Sequence, residues 1–377
     1  MFLYTFQNII KAPKRSFQLI LSSILVFSLF FFALAFQHGM NTSLSVSGDE
    51  KNIILLGAGS EESIERSELS PMALAAVKSI RGLLEVSGKQ AVSPEVVYNS
   101  VITFGNYEKE AFIRGVTDRS FLVYSNLALE KGAYPSSGEV LIGRRAALRM
   151  GVQYKSLQIG DVIVFEGQEF KISGVFKAPG SVMESEVWMN LQDLMSLTRR
   201  DAYSSITMRL DTAEESDVNL MVKRRQDIQA TSMSEKTYYQ KVSNFYEPMK
   251  WIAWLTALLI ALGALLGGMN SFYAALDSRK KEFATLQAIG FKRRSLFLSM
   301  VLESGLLHLL GYLLASYMAL WLLPELSFNI GTIFFKLELG FSQMIVVLWI
   351  AFFISLLVTL IPAVTILKPS LQTYLKD

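Results

Sequence analysis

Two ionisable side chains, Glu303 and His308, stand inside a long apolar run near the C-terminal end of this 377-residue chain. A carboxylate and an imidazole in such a setting could relay a proton or hold an ion. Their spacing argues against a relay, because five residues at ~100° each place them about 140° apart on a helix. Glu303 falls about 10 Å into the run at ~1.5 Å per residue, a depth where an ionisable group either faces protein or snorkels to the surface. Other chemistry is sparse. The chain has no Cys and only two His, which excludes disulfides and leaves little for zinc cages or Cys and His nucleophiles. The nearest thing to a phosphate loop runs from Gly82 to Lys89, but five residues rather than four separate its glycines, and Gln90 stands where Ser or Thr should meet Mg²⁺. The chain is therefore not expected to hydrolyse ATP itself. Glu61 and Glu62 read as solvated surface, and no nucleophile and base pair can be named.

The elements around these residues indicate a membrane protein. Half of the chain is apolar (51%), and four stretches, 17–38, 250–276, 296–323 and 343–367, are long enough to cross a hydrocarbon core of about 30 Å. The first could instead be a signal peptide, with Ala33-Leu34-Ala35 as its cleavage site, but its apolar run exceeds the usual ~7 to 15 residues. Residues 39–249 have ordinary soluble composition and can bury a core of their own. In the second span, Gly263-x-x-x-Gly267, with Gly268 beside it, would let a neighbouring backbone approach closely, within the protomer or across a dimer.

Lys and Arg near the membrane ends set the orientation. Lys11, Lys14 and Arg15 precede the first span, six basic residues lie between the second and third, and Lys368 and Lys376 follow the fourth. Those eleven, against Asp277, Glu282 and Asp377, give these parts +8; with +3 for the whole chain, the rest carries −5. Both termini and residues 277–295 are thus expected in the cytoplasm, and residues 39–249 and the short loop 324–342 outside. Positive charge placed at membrane boundaries speaks for lipid headgroups and not for nucleic acid.

Between the second and third spans the chain reads DSRKKEFATLQAIGFKRRSL (277–296). Phe283, Leu286 and Ile289 recur every three residues as an apolar stripe, Ala284 and Ala288 form a small-residue row beside it, and Gly290 is a helix stop. Arg279, Lys280 and Lys281 occupy the first turn, where positive charge opposes the helix dipole, so lipid headgroups or an acidic protein partner must compensate. Following an apolar span, Arg279, Glu282, Leu286, Ala288, Ile289, Gly290 and the Arg293-Arg294 pair resemble the cytoplasmic coupling helix of FtsX-like permeases. These belong to the MacB, LolC and FtsX (type VII, mechanotransmission) ABC transporters.

The resemblance extends over almost the whole chain. It includes an amphipathic opening (1–16), EVLIGRRAALRMGV (139–152), LQIGDVIVFEGQEFKISGVF (157–176), VWMNLQDLMSL (187–197) and the tail IPAVTILKPSLQTYL (361–375), which carries Pro362 and Pro369. It implies an α-helical membrane protein with four transmembrane helices and a large α+β periplasmic domain, in which a porter-like βαβ part is interrupted by a β-rich insertion at about 110–210. Residue patterns within 39–249 agree. Strands are expected at 52–56, 96–104, 111–116 and 140–142, a hairpin at 161–176 around Glu166-Gly167-Gln168, and short helices at 71–80 and 144–150. From 216 to 250 the pattern is helical, a stalk leading into the second span.

The resemblance also implies function. The chain would be the permease subunit of an ABC system in a bacterial inner membrane, with no cofactor of its own and with ATP and Mg on a separate cytoplasmic ATPase docked on 279–294. A second permease, identical or not, would complete a dimer. A periplasmic membrane-fusion protein and an outer-membrane channel are further partners the family implies, together with membrane lipids. Motion passed to the outer domain would drive export or efflux from the periplasm or outer leaflet. The alternatives are lipoprotein release from the inner membrane and FtsX-like signalling to a cell-wall hydrolase. An outer segment of roughly 210 residues favours the export or extraction branch over signalling. Glu303 matches a glutamate common in the family's third span.

Overall fold

The computed structural model describes residues 2–152, 157–331 and 333–367, so Lys368, Pro369, Lys376 and the tail 368–377 lie outside the described residues. In chain order the elements begin with α1 (Phe2–Lys11), α2 (Pro13–Ser47), β1 (Asn52–Gly57), α3 (Met72–Lys78), β2 (Glu85–Val86), β3 (Lys89–Gln90), β4 (Val92–Phe104) and β5 (Tyr107–Val116). There follow α4 (Ser120–Val123), β6 (Ala128–Gly132), β7 (Glu139–Gly143), α5 (Ala146–Arg149), β8 (Val162–Phe165), β9 (Gln168–Lys177), β10 (Val187–Asn190), α6 (Leu191–Thr198) and β11 (Ser205–Arg209). The last elements are α7 (Glu215–Arg224), β12 (Ala230–Ser234), α8 (Glu235–Phe245), α9 (Glu247–Asp277), α10 (Lys280–Ala288), α11 (Arg293–Leu322), β13 (Ser327–Ile330), β14 (Ile333–Lys336) and α12 (Phe341–Leu367). They form two compact units: residues 1–39, 248–326 and 336–377, and residues 40–247 with 327–335.

The first unit holds the apolar helices. Among the described residues four helices, α2, α9, α11 with the turn after it, and α12, are long and apolar enough to cross a membrane. Proline at the first position of α2 separates it from α1, since Pro suits the start of a helix and not its interior. The bundle core is built from Leu19, Phe272, Leu276, Leu296, Met300, Leu307, Val358 and Ala363, and Phe283 of α10 is buried among them.

The second unit is an α+β domain in two parts that share β4. Its N-terminal half pairs with β11, which pairs with β1, which pairs with β12, all antiparallel. All six residues of β1 are buried, as expected for an apolar strand covered on both faces. Beyond Glu95, β4 pairs instead with β5 and closes a ring β4-β5-β10-β7-β9-β8, with β8 returning to β4. This ring is a small barrel. It spans residues 92–190, since β4 is long enough to belong to both parts, and β11 lies in the other layer. Glu166 and Gly167 both have positive φ, 48° and 75°, the two-residue turn that joins β8 to β9 with the twist of the strands.

Three expectations need correction. The helical pattern over 216–250 is cut by β12, which pairs antiparallel with β1 at the edge of the sheet, and α8 and α9 then follow as separate helices. The short loop 324–342 contains a hairpin, β13–β14, that belongs to the second unit. The helix expected at 144–150 is only four residues, 146–149, although Gly151 does turn with φ 67°.

Candidate functional site: the α10 helix and a buried carboxylate

α10 is short and lacks an N-terminal side-chain cap; Arg279 occupies that position. Its C-terminus is well built. Phe291 N–H donates to Leu286 O and Gly290 N–H to Gln287 O, the paired bonds of a Schellman motif, with Gly290 at φ 110° where a side chain would be strained. The apolar stripe does not stay on one side. Phe283 and Ala284 are buried and Leu286 is half-buried, but Ile289 is 72% exposed and Ala288 is exposed as well. A three-residue spacing drifts by about 60° per step, so Ile289 lies some 120° around the helix from Phe283. Ile289 and Phe291 therefore form an exposed apolar pair next to exposed Lys292, Arg293 and Arg294, the last two in the first turn of α11, which contains no acidic residue.

Glu303 is where the geometry converges. It sits nearly three turns into α11, is 2% exposed, and takes two guanidinium groups. Arg15, in the first turn of α2, donates Nη2 to Oε1; Arg279 donates Nη1 to Oε2 at 3.2 Å. Arg279 also reaches Glu282 Oε2 at 3.4 Å and lies over the Phe283 ring, 5.1 Å from its centroid, while Arg15 lies 6.0 Å from the centroid of Phe272. Lys280 pairs with Asp277 at 3.4 Å. The snorkelling alternative for Glu303 is thus set aside: a buried carboxylate between two cations is held by protein, and it ties the start of α10 to α11 and α2.

His308 takes no part in this cluster. Its Nδ1 lies 2.9 Å from Ser304 O, which places the proton on Nδ1, and Ser304 Oγ donates to Ser355 O at 3.2 Å, joining α11 to α12. The pair expected not to form a relay does not meet. The glycines of α9 also divide. A side chain at Gly263 or Gly267 would meet nothing within 4 Å, so neither packs within the protomer, whereas at Gly268 it would meet Val358 at 3.5 Å and Leu19 at 3.9 Å. The tight crossing is elsewhere: a Cβ on Gly311 of α11 would stand 2.4 Å from Ser23 Cβ of α2. Gly311-x-x-x-Ala315 was the sequence signal for it. The stretch from Gly82 to Lys89 leads into the β2–β3 hairpin, and Glu61, half-buried, accepts from Thr231 Oγ1 at 3.0 Å.

With this geometry in place, comparison with known proteins is decisive. Residues 19–224 match the MacB-like periplasmic core domain, and residues 254–371 match the FtsX-like permease C-terminal domain. The chain belongs to the MacB/FtsX-like family of ABC transporter permeases. This permease is similar to the uncharacterized ABC transporter permease YknZ of Bacillus subtilis (strain 168), with 22% identity over 291 residues and 71% of each chain covered. It is 25% identical over 262 residues to the macrolide export ATP-binding/permease protein MacB 1 of Yersinia pestis bv. Antiqua (strain Antiqua), covering 64% of this chain and 39% of that one. The permease thus spans well under half the length of the MacB relatives. Among solved structures, the periplasmic region of MacB from Actinobacillus actinomycetemcomitans aligns with TM-score 0.40 and 14% identity, over 52% of this chain and 95% of that one. The extracellular domain of YknZ from Gram-positive bacteria aligns with TM-score 0.38 and 14% identity, over 48% of this chain and 100% of that one. The family expectation drawn from 277–296 and from the layout is met, and an ABC permease implies an ATPase partner.

Proposed function

We propose that this permease converts ATP-driven movement of a separate cytoplasmic ATPase into movement of its outer domain, and that the Arg15–Glu303–Arg279 cluster is the joint through which the force enters. The buried Glu303 carries the reading. A surface helix serving only lipid headgroups has no need to bring its first guanidinium to a buried carboxylate on one span that also holds the base of another. In this scheme 277–295 and both termini face the cytoplasm, the ATPase with its ATP and Mg seats against Ile289, Phe291 and the basic residues 292–294, and the second unit works outside. A second permease completes the assembly, with the open Gly263 and Gly267 face of α9 available to it. The cargo is one exported from the periplasm or outer leaflet; release of lipoproteins is the second reading, supported by the same membrane unit, and a fusion protein and outer-membrane channel would serve only the first.

The test uses co-expression with the cognate ATPase. Ile289→Asp, at an exposed position, should leave the permease inserted and abolish co-purification of the ATPase. Glu303→Gln should retain the ATPase and its basal hydrolysis but lose the ATP-dependent change in protease sensitivity of the outer domain. An Ile289→Asp variant that binds the ATPase normally, together with a Glu303→Gln variant that still responds to ATP, would refute the coupling role.

A further inference from the structure

The hairpin β13–β14 joins two membrane-spanning helices, yet it is part of the second unit. Ile333, Phe334 and Phe335 are almost fully buried there, and Ser43 Oγ donates to Phe334 O at 3.2 Å. The tip is gripped by one side chain. Arg149, the last residue of α5, is 7% exposed; its Nη2 donates to Gly331 O at 3.0 Å and its Nη1 to Ser185 Oγ at 3.4 Å, and its guanidinium lies 4.9 Å from the centroid of the Phe112 ring on β5. A cation with so little solvent is costly, and burial pulls the Arg149 pKa down to about 10, against the opposing pull of Glu186 and Glu65. Such a group persists where its geometry is needed. On the other side of the tip, Gly331 has φ 56°, and a Cβ there would stand 2.6 Å from Tyr246 Oη, the residue between α8 and α9. The hairpin tip is therefore held between Arg149 and Tyr246, both of the same unit, and only Gly fits.

We propose that Arg149 is a positioning residue that pins the α11–α12 hairpin to the barrel, so that movement of the third and fourth spans reaches the outer domain directly and not only through α2 and α9. The proposal rests on the force-transmission reading above and adds the second route by which force leaves the membrane.

Hydrogen exchange by mass spectrometry on the full permease with its ATPase in nanodiscs tests it. In the unsubstituted protein, amides of 327–336 should be protected to the same degree as those of β5 and β10. Arg149→Met should speed exchange at 327–336 by about ten-fold or more, since a buried cation's bonds are lost together. It should leave β1 and β11 protected and leave ATPase co-purification and basal hydrolysis unchanged. ATP should alter exchange across the barrel in the unsubstituted protein and fail to do so in Arg149→Met, and Arg149→Lys, which can still donate to Gly331 O, should restore part of the response. Gly331→Ala attacks the same contact from the hairpin side and serves if Arg149→Met does not fold. Unchanged exchange at 327–336 in both variants, or a barrel that still responds to ATP with the hairpin loosened, overturns the proposal. If ATP has no effect even on the unsubstituted protein with its ATPase bound, the force-transmission reading falls, and the second route falls with it.

Discussion

Each compact unit contains a buried three-charge cluster, and the two are inverse in composition. In the membrane unit one carboxylate, Glu303, sits between two guanidinium groups. In the outer domain one guanidinium, Arg114, sits between two carboxylates: it is bidentate to Glu186 at 2.6 and 2.7 Å and bonds Glu95 at 2.7 Å. Tyr124 Oη donates to Glu95 at 2.7 Å and Trp188 Nε1 to Glu186 at 2.8 Å. Arg114 is on β5, opposite Val97 of β4 and Trp188 of β10; Glu95 stands two residues before Val97 on β4 and Glu186 immediately precedes β10, so strands or strand ends carry all three charges. Glu303, Arg15 and Arg279 instead come from three helices, and Arg279 has a second carboxylate within reach in the largely exposed Glu282. A cluster held by a ladder has one arrangement. A cluster held by side chains near helix ends, with a spare partner at hand, can exchange contacts as the helices shift, which is what a joint requires.

The largest effect separates the two clusters by stability. Arg114→Met should destabilise the outer domain by about 3–5 kcal/mol, because it leaves two buried carboxylates facing each other. Denaturant unfolding of the purified permease would show this, and a loss under ~1 kcal/mol would mean that the ladder alone holds the site. The next effect depends on pH. Glu235, in the first turn of α8, is buried and accepts from Asn52 Nδ2 and Asp49 N–H; burial raises its pKa from 4.5 to about 8. Its folded form keeps a proton that the unfolded chain has already lost, so stability should fall as pH rises from about 4.5 to about 8 and level off above that. Glu235→Gln should flatten the slope, gaining a few kcal/mol over the parent at pH 9. Equal slopes in melts at pH 6 and 9 would exclude Glu235 as the source. The smallest effect is expected at the spare partner: Glu282→Gln should change stability by less than ~0.5 kcal/mol and leave ATPase binding intact. A larger loss would show that Arg279 depends on Glu282 more than on Glu303.

What the sequence made legible was local. The four spans and β1 are apolar runs, the Glu166-Gly167 turn and the Gly290 cap are short signals with fixed geometry, and the Arg279, Glu282 and Gly290 spacing identified α10. What it hid depends on distance or on polarity. Arg15 and Glu303 are 288 residues apart, and Arg15 read only as one more positive charge at a membrane end. β12 is ATSMS, polar enough to pass for a continuation of the helices on either side, and becomes a strand because β1 offers it an edge. Gly263 and Gly267 carry the stronger motif, yet the close helix crossing uses Gly311, since which face of a helix meets a neighbour is decided by the whole bundle.

The ring of six strands is fastened unequally. β4 and β5 run together over nine residue pairs, Val96↔Gly115 to Phe104↔Tyr107, whereas β8 returns to β4 through only two, Ile102↔Phe165 and Thr103↔Val164. That short clasp is the cheapest place for the ring to come undone, and undoing it would bare Ile102 and Phe165 to solvent.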